Sequence, residues 1–133
     1  METVVQTMQV SKTRVRISWI ITGLVSLFLF WDALMKILMV DMVIEATQRL
    51  GYSQSSVFGI GLTLFICTVL YVIPRTSVFG AILLTAYLGG AVNTHVRMGE
   101  PFYFAVVFGI LIWLSLYLRD KTLRTLVPLK KDS

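Results

Sequence analysis

Two groups of residues in this chain have types and spacings that could do chemistry. Asp32 and Lys36 sit four apart inside an otherwise apolar segment. On a helix they share a face, with the acid N-terminal to the base, which is the favourable order. The second group, Asn93, Thr94, His95, Arg97 and Glu100, closes another apolar segment, with Tyr103 just beyond it. Tyr87, Ala91 and His95 fall on one helical face at i,i+4 spacing, whereas Asn93 stands about 200° from His95 on an ideal helix. If Asn93 and His95 serve one site, the helix must unwind near residue 94.

A lone charge at the middle of a membrane helix costs about 2.5–3.5 kcal/mol. Asp32 is therefore expected to face other helices and to find a partner. Two readings follow: a structural ion pair with Lys36, or a site that handles a proton or a ligand. His95, the only histidine, belongs to the one residue type that titrates near neutral pH. Asp32 and His95 are thus the candidate catalytic acid and base. Lys36, Tyr87, Asn93, Arg97, Glu100 and Tyr103 are the candidate binding residues. The plainer alternatives are a hydrogen-bonded packing role for His95 and a turn ion pair between Arg97 and Glu100. Asp32, His95 and Glu100 could offer three metal ligands, but their spacing has no metal signature, and no metal or cofactor is assigned.

The elements that position these residues follow from composition. The chain has 133 residues, 56% hydrophobic and 14% charged. A soluble chain carries about 25% charged residues. One domain of this size could not hide so much apolar surface from water, so the bilayer is the expected solvent. The net charge of +5 does not point to nucleic acid, because the cations flank apolar segments, where they act as topology signals. A single cysteine, Cys67, permits no intrachain disulfide and no CxxC motif. No phosphate loop, nucleotide fingerprint or nucleophile motif is present.

The predicted fold is all-α: a transmembrane four-helix bundle with a short amphipathic helix between the first and second spans. Spans are expected at about 17–39, 57–73, 77–94 and 102–118, making 17–118 one domain between basic tails at 1–16 and 119–133. Residues 1–9 read as a frayed tail. In the first span Ser18, Thr22, Val25 and Leu29 continue the Asp32–Lys36 face as a helix–helix seam. Between spans one and two, Val40, Val43, Ile44, Thr47 and Leu50 recur at helical spacing opposite Asp41, Glu45, Gln48 and Arg49. Gly51 fits the C′ position of that helix, and Glu45 with Arg49 reads as a solvated pair. Ser53, Ser55 or Ser56 is expected to cap the next helix, Thr76 or Ser77 the one after it, and Pro101 to open the last. Gly89-Gly90 is expected to let another helix pack closely.

An even number of crossings puts both termini on one side. That side carries Lys12, Arg14, Arg16, Arg75, Arg119, Lys121, Arg124, Lys130 and Lys131; the other has Lys36, Arg49 and Arg97. The excess makes the termini cytoplasmic and a bacterial-type inner membrane the expected location. The candidate site then opens outward, and it requires the first and third spans to be neighbours there.

The stretch Tyr71-Val72-Ile73-Pro74-Arg75-Thr76, then Gly80 through Ala91, then Thr94-His95-Val96-Arg97, resembles the core signature of the DoxX-like membrane proteins. Phe30 to Lys36, Leu50-Gly51-Tyr52, and Tyr117-Leu118-Arg119-Asp120 with Leu123-Arg124 and Pro128 match in order, so the resemblance covers about 17–130. It implies a four-helix transmembrane bundle. The founding member of the wider group is a subunit of a thiosulfate:quinone oxidoreductase, and similar bundles occur in vitamin K epoxide reductase and some membrane chaperones. Without a cysteine pair, thiol–disulfide chemistry of the reductase kind is excluded for this chain alone. Two functions are carried forward. The first is binding of a small lipophilic, quinone-like molecule, or service as an accessory subunit of a membrane redox complex. The second is acid–base catalysis on a lipophilic substrate. Expected partners are membrane lipid and an apolar ligand, with homo-oligomers or a larger membrane complex open and nucleic acid not expected.

Overall fold

The computed structural model describes the backbone of residues 2–130 and the side chains of residues 12–130; the ends of the two expected basic tails, residue 1 and residues 131–133, lie outside the described residues. The chain folds as α1 (Glu2–Ile37), α2 (Asp41–Arg49), α3 (Gln54–Val72), a 3₁₀ turn (Pro74–Thr76), α4 (Ser77–Arg97), α5 (Tyr103–Arg119) and α6 (Lys121–Leu126). It is all-α, with the short helix α2 between the first two spans, as expected. The helix of the first span starts earlier than the sequence suggested, at Glu2 rather than beyond a frayed tail. The stretches Lys12–Ile37, Gln54–Val72 and Pro74–Arg97 are long and apolar enough to cross a membrane; Tyr103–Arg119 is a shorter apolar helix. At 17 residues, α5 is at the lower limit for crossing a core of about 30 Å. Their outward faces carry exposed Ile20, Leu24, Leu27, Phe58, Phe79, Ile82 and Ile110, which only a lipid solvent would tolerate in such number.

The long helices form a ring in which α1 packs on α3 and α5, and α4 packs on α3 and α5. The seam of α1 is the one its sequence proposes: Ser18, Thr22, Val25, Ser26, Leu29 and Ala33 are all buried. Backbones approach closely at two glycines. A Cβ on Gly61 of α3 would stand 2.6 Å from Lys36 Cβ and 3.0 Å from the Ala33 carbonyl of α1. A Cβ on Gly80 of α4 would fall under 3.0 Å from the backbone N and Cα of Tyr71 in α3. Gly89 and Gly90 are not such a seam. Both are exposed, and a Cβ on either meets nothing within 4 Å. The first and third spans, α1 and α4, stand diagonally across the ring and are not packed on one another.

Turn chemistry places α2. Each of three helices ends with paired bonds from the two residues past its last turn. Val40 N–H reaches Met35 O and Met39 N–H reaches Lys36 O after α1; Tyr52 and Gly51 do the same for α2, and Glu100 and Gly99 for α4. This is the Schellman arrangement, with its left-handed residue at C′: Met39 at φ 56°, Gly51 at 96° and Gly99 at 73°. Gly51 is the terminator its sequence suggested; Met39 and Gly99 were not anticipated. The expected serine and threonine caps differ from what forms. Neither α3 nor α4 has a side-chain N-cap. Instead Thr76 donates to Leu70 O (2.7 Å) and Ser77 to Tyr71 O (2.8 Å), filling carbonyls that Pro74 leaves open at the end of α3. Pro101 lies two residues before α5 rather than at its first position.

A polar cluster knits the opposite end of the ring. Arg119 Nη1 donates to Thr22 Oγ1 (2.7 Å) and Ser115 Oγ (3.0 Å). Ser115 donates to Ser18 O (2.6 Å) and also bonds Thr22, while Tyr71 donates to the Ile112 carbonyl (3.1 Å). The Arg119 guanidinium lies 4.0 Å over the Trp19 ring. In an apolar solvent such groups need internal partners, and here three helices supply them.

Gly80→Ala is expected to cost about 1–3 kcal/mol of stability, because backbone cannot yield as a side chain does. Gly89→Ala should be neutral or stabilising by about 0.5–1 kcal/mol, the usual gain over glycine in a helix. Equilibrium unfolding in mixed micelles measures both; an equal cost at the two positions would contradict the close approach at Gly80.

Candidate functional site

Because α1 and α4 stand apart, the α2 end of the ring encloses a cavity of about 870 Å³, bordered by all five of α1 to α5. Its walls are largely apolar: Phe28, Leu29, Trp31 and Met35 from α1, Ile60 from α3, Leu88 from α4. The apolar side of α2, with Met42, Val43 and Leu50, roofs it. Gly90 widens it by lacking a side chain.

Four of the residues proposed from sequence meet around this cavity: Asp32, Lys36, Tyr87 and His95. Lys36 Nζ donates to Asp32 Oδ2 at 2.8 Å, the only ion pair among the described residues. The Lys36 side chain is 14% exposed and that of Asp32 37%, so the ammonium is sheltered while the carboxylate keeps an open side. Tyr87, on α4, borders the same cavity from the opposite wall. His95 Nδ1 lies 2.6 Å from the Ala91 carbonyl. A carbonyl only accepts, so the ring proton is on Nδ1, and the neutral imidazole keeps Nε2 as an acceptor. The ring stands edge-on to Phe104, 5.2 Å between centroids.

The other four do not join them. Asn93, Arg97, Glu100 and Tyr103 are exposed, and none borders the cavity. The reason is that α4 does not unwind at residue 94. It stays helical to Arg97, where Gly99 completes the terminal bonds, so Asn93 and His95 keep opposite directions. Arg97 and Glu100 form no ion pair, and neither do Glu45 and Arg49. Among the described residues no three His, Cys, Asp or Glu side chains gather as metal ligands. Direct packing of the first on the third span, the condition on which the sequence reading rested its site, is not met, so a site formed by contact between those helices fails; Asp32, Lys36, Tyr87 and His95 share only the lining of the space between them.

One contributor, Tyr52, escaped sequence reading as a site residue, and its partner Thr94 was read only as part of the polar cluster. Tyr52 Oη bonds Thr94 Oγ1 at 2.8 Å. Thr94 spends its own proton on the Gly90 carbonyl (2.8 Å), so Tyr52 is the donor. This bond ties the α2–α3 connection to α4 over the cavity. The only available signal was that Tyr52 follows a helix-ending glycine.

Fold and cavity together define a small helical integral membrane protein with a mostly apolar chamber and a few converging polar groups at one end. The chain belongs to the DoxX-like family, whose model matches residues 20–116. No curated protein and no solved structure matches it.

The ion pair has a stability signature. Lys36→Met strands a carboxylate and should cost about 1–3 kcal/mol, and Asp32→Asn a similar amount, since removing one partner exposes the charge of the other to an apolar medium. The double variant should be more stable than Lys36→Met alone. Unfolding in micelles tests this; additive losses would mean the two side chains do not depend on each other.

Proposed function

We propose that this protein binds a small lipophilic molecule, quinone-like in carrying ring oxygens on an apolar body, in the cavity at the α2 end. One observation carries the reading: a chamber of about 870 Å³ with apolar walls and polar groups reaching in from both α1 and α4. Ligand sites have this size and lining. Lys36 and Tyr87 offer donors to a carbonyl or hydroxyl oxygen, and His95 Nε2 offers an acceptor. Holding such a molecule also suits an accessory subunit of a membrane redox complex. Acid–base catalysis by Asp32 and His95 is the weaker reading, because the Asp32 carboxylate is already engaged by Lys36 at 2.8 Å. The excess of Lys and Arg on the side of the termini supports the further reading that both termini are cytoplasmic in a bacterial-type inner membrane, with the cavity towards the outer side.

Trp31 borders the cavity, and quinones quench indole fluorescence. With Trp19 and Trp113 replaced by Phe, trimethyl-decyl-1,4-benzoquinone should quench Trp31 saturably in nanodiscs. Lys36→Met should weaken that binding about tenfold or more, the worth of a hydrogen bond to a charged group, and His95→Ala should weaken it less. Folded variants that bind like the parent would sink the reading. For topology, a reporter that fluoresces only in the cytoplasm should be bright when fused at the C-terminus; a periplasm-active phosphatase fused there should be silent.

A further inference from the structure

The cavity is not equally closed on its sides. The α2 end is covered by the apolar face of α2 and by the Tyr52–Thr94 hydrogen bond. The α1–α3 side is sealed where Gly61 lies against the α1 backbone. The α1–α5 side is filled by Phe28 stacked on Phe108 at 4.8 Å. On the α4–α5 side His95 meets Phe104, and Leu88 reaches Gly109. The α3–α4 side differs. These helices are pinched together at Gly80 and Tyr71, yet towards α2 they present Gly59, Thr63 and Gly90, which border the cavity and are themselves exposed. A Cβ on Gly59 or Gly90 would meet nothing within 4 Å. Thr63 donates its hydroxyl to the Gly59 carbonyl at 2.8 Å, so its proton is spent within α3, and the Ser56 hydroxyl, nearer α2, is bonded to Ser53.

From this we infer that the ligand is a tailed amphiphile whose polar head lies at Asp32, Lys36 and Tyr87 and whose chain leaves between α3 and α4 into the surrounding lipid. The inference rests on the binding reading above and narrows its ligand class. The border between α3 and α4 has space but no donor for a head group, which would lose its hydrogen bonds there. An alkyl or isoprenoid chain loses none. The roof formed by α2 closes the route from water, so the ligand arrives from the bilayer and keeps its chain there. The Tyr52–Thr94 bond, above the opening, holds α3 and α4 at a fixed separation.

Two probes separate head from tail: tetramethyl-1,4-benzoquinone, and the same ring with one methyl replaced by decyl. Both are titrated by Trp31 quenching in nanodiscs, with affinities expressed per mole of lipid so that partitioning cancels. Gly59→Leu and Gly90→Leu place a side chain in the opening. They should weaken the decyl probe about tenfold and the tetramethyl probe less than twofold. Thr63→Phe should do the same and serves as the independent variant if a glycine replacement fails to fold. An unchanged ratio between the two probes, whether neither weakens or both weaken together, overturns the tail route. Failure of both probes to bind the parent protein overturns the binding reading itself.

Discussion

Two backbone contacts govern this structure. Gly80 lets α4 touch α3 at Tyr71, and Gly61 lets α3 touch α1 beside Lys36. In lipid there is no hydrophobic drive between helices, so close van der Waals approach through small residues carries much of the association. The contacts sit at different heights. Gly80 is in the first turn of α4, far from α2, whereas Gly61 is near the α2 end. The α3–α4 pair is therefore in backbone contact at one end and spaced apart at the other, while α1 stays with α3 throughout. A cavity at the α2 end is the geometric result. The short helix α2, swung over by the left-handed turns at Met39 and Gly51, covers what would otherwise be open.

The two ends of the bundle treat their polar groups in opposite ways. At the Arg119 end, the hydroxyls of Thr22, Tyr71 and Ser115 and the carbonyls of Ser18 and Ile112 share donors and acceptors within the protein, and only Arg119 Nη2 and, on the same face of α1, Ser26 Oγ stay without partners among the buried side-chain atoms of the described residues. Such a network is glue, since satisfying one another fixes three helices in register. At the α2 end the hydroxyl of Tyr87, the second Asp32 oxygen and Nε2 of His95 have capacity to spare around a space large enough for another molecule. Polar groups that the protein saturates itself and polar groups that it leaves available are the physical difference between packing and binding.

Much of the fold could be read from the sequence because the bilayer allows few solutions. Uncharged runs of sufficient length mark the spans, and apolar residues recurring at helical spacing opposite a polar face mark α2. Asp32 and Lys36 were legible as a pair because i,i+4 spacing determines their meeting locally. His95 and Tyr87 were legible as a shared face for the same reason. Asn93 was misplaced because a proposed site pulled it towards His95, against the helix period; backbone amides in lipid hold to their helical partners, and α4 kept its period. Arg97 and Glu100 were grouped by nearness along the chain, but the turn at Gly99 turns them outward.

The glycines show where sequence reading reaches its limit. Gly89-Gly90 has the look of a packing seam and Gly80 does not stand out, yet those roles are reversed; Gly59 and Gly61 both read as points of close approach, and only Gly61 is one. What separates them is not residue type but which side of the helix faces a neighbour, and that depends on the ring order of α1, α3, α4 and α5. A glycine against backbone permits contact; a glycine against nothing makes room. Gly90, on the wall of the cavity, is of the second kind, and the same missing side chain that fails to bring helices together leaves space for something else between them.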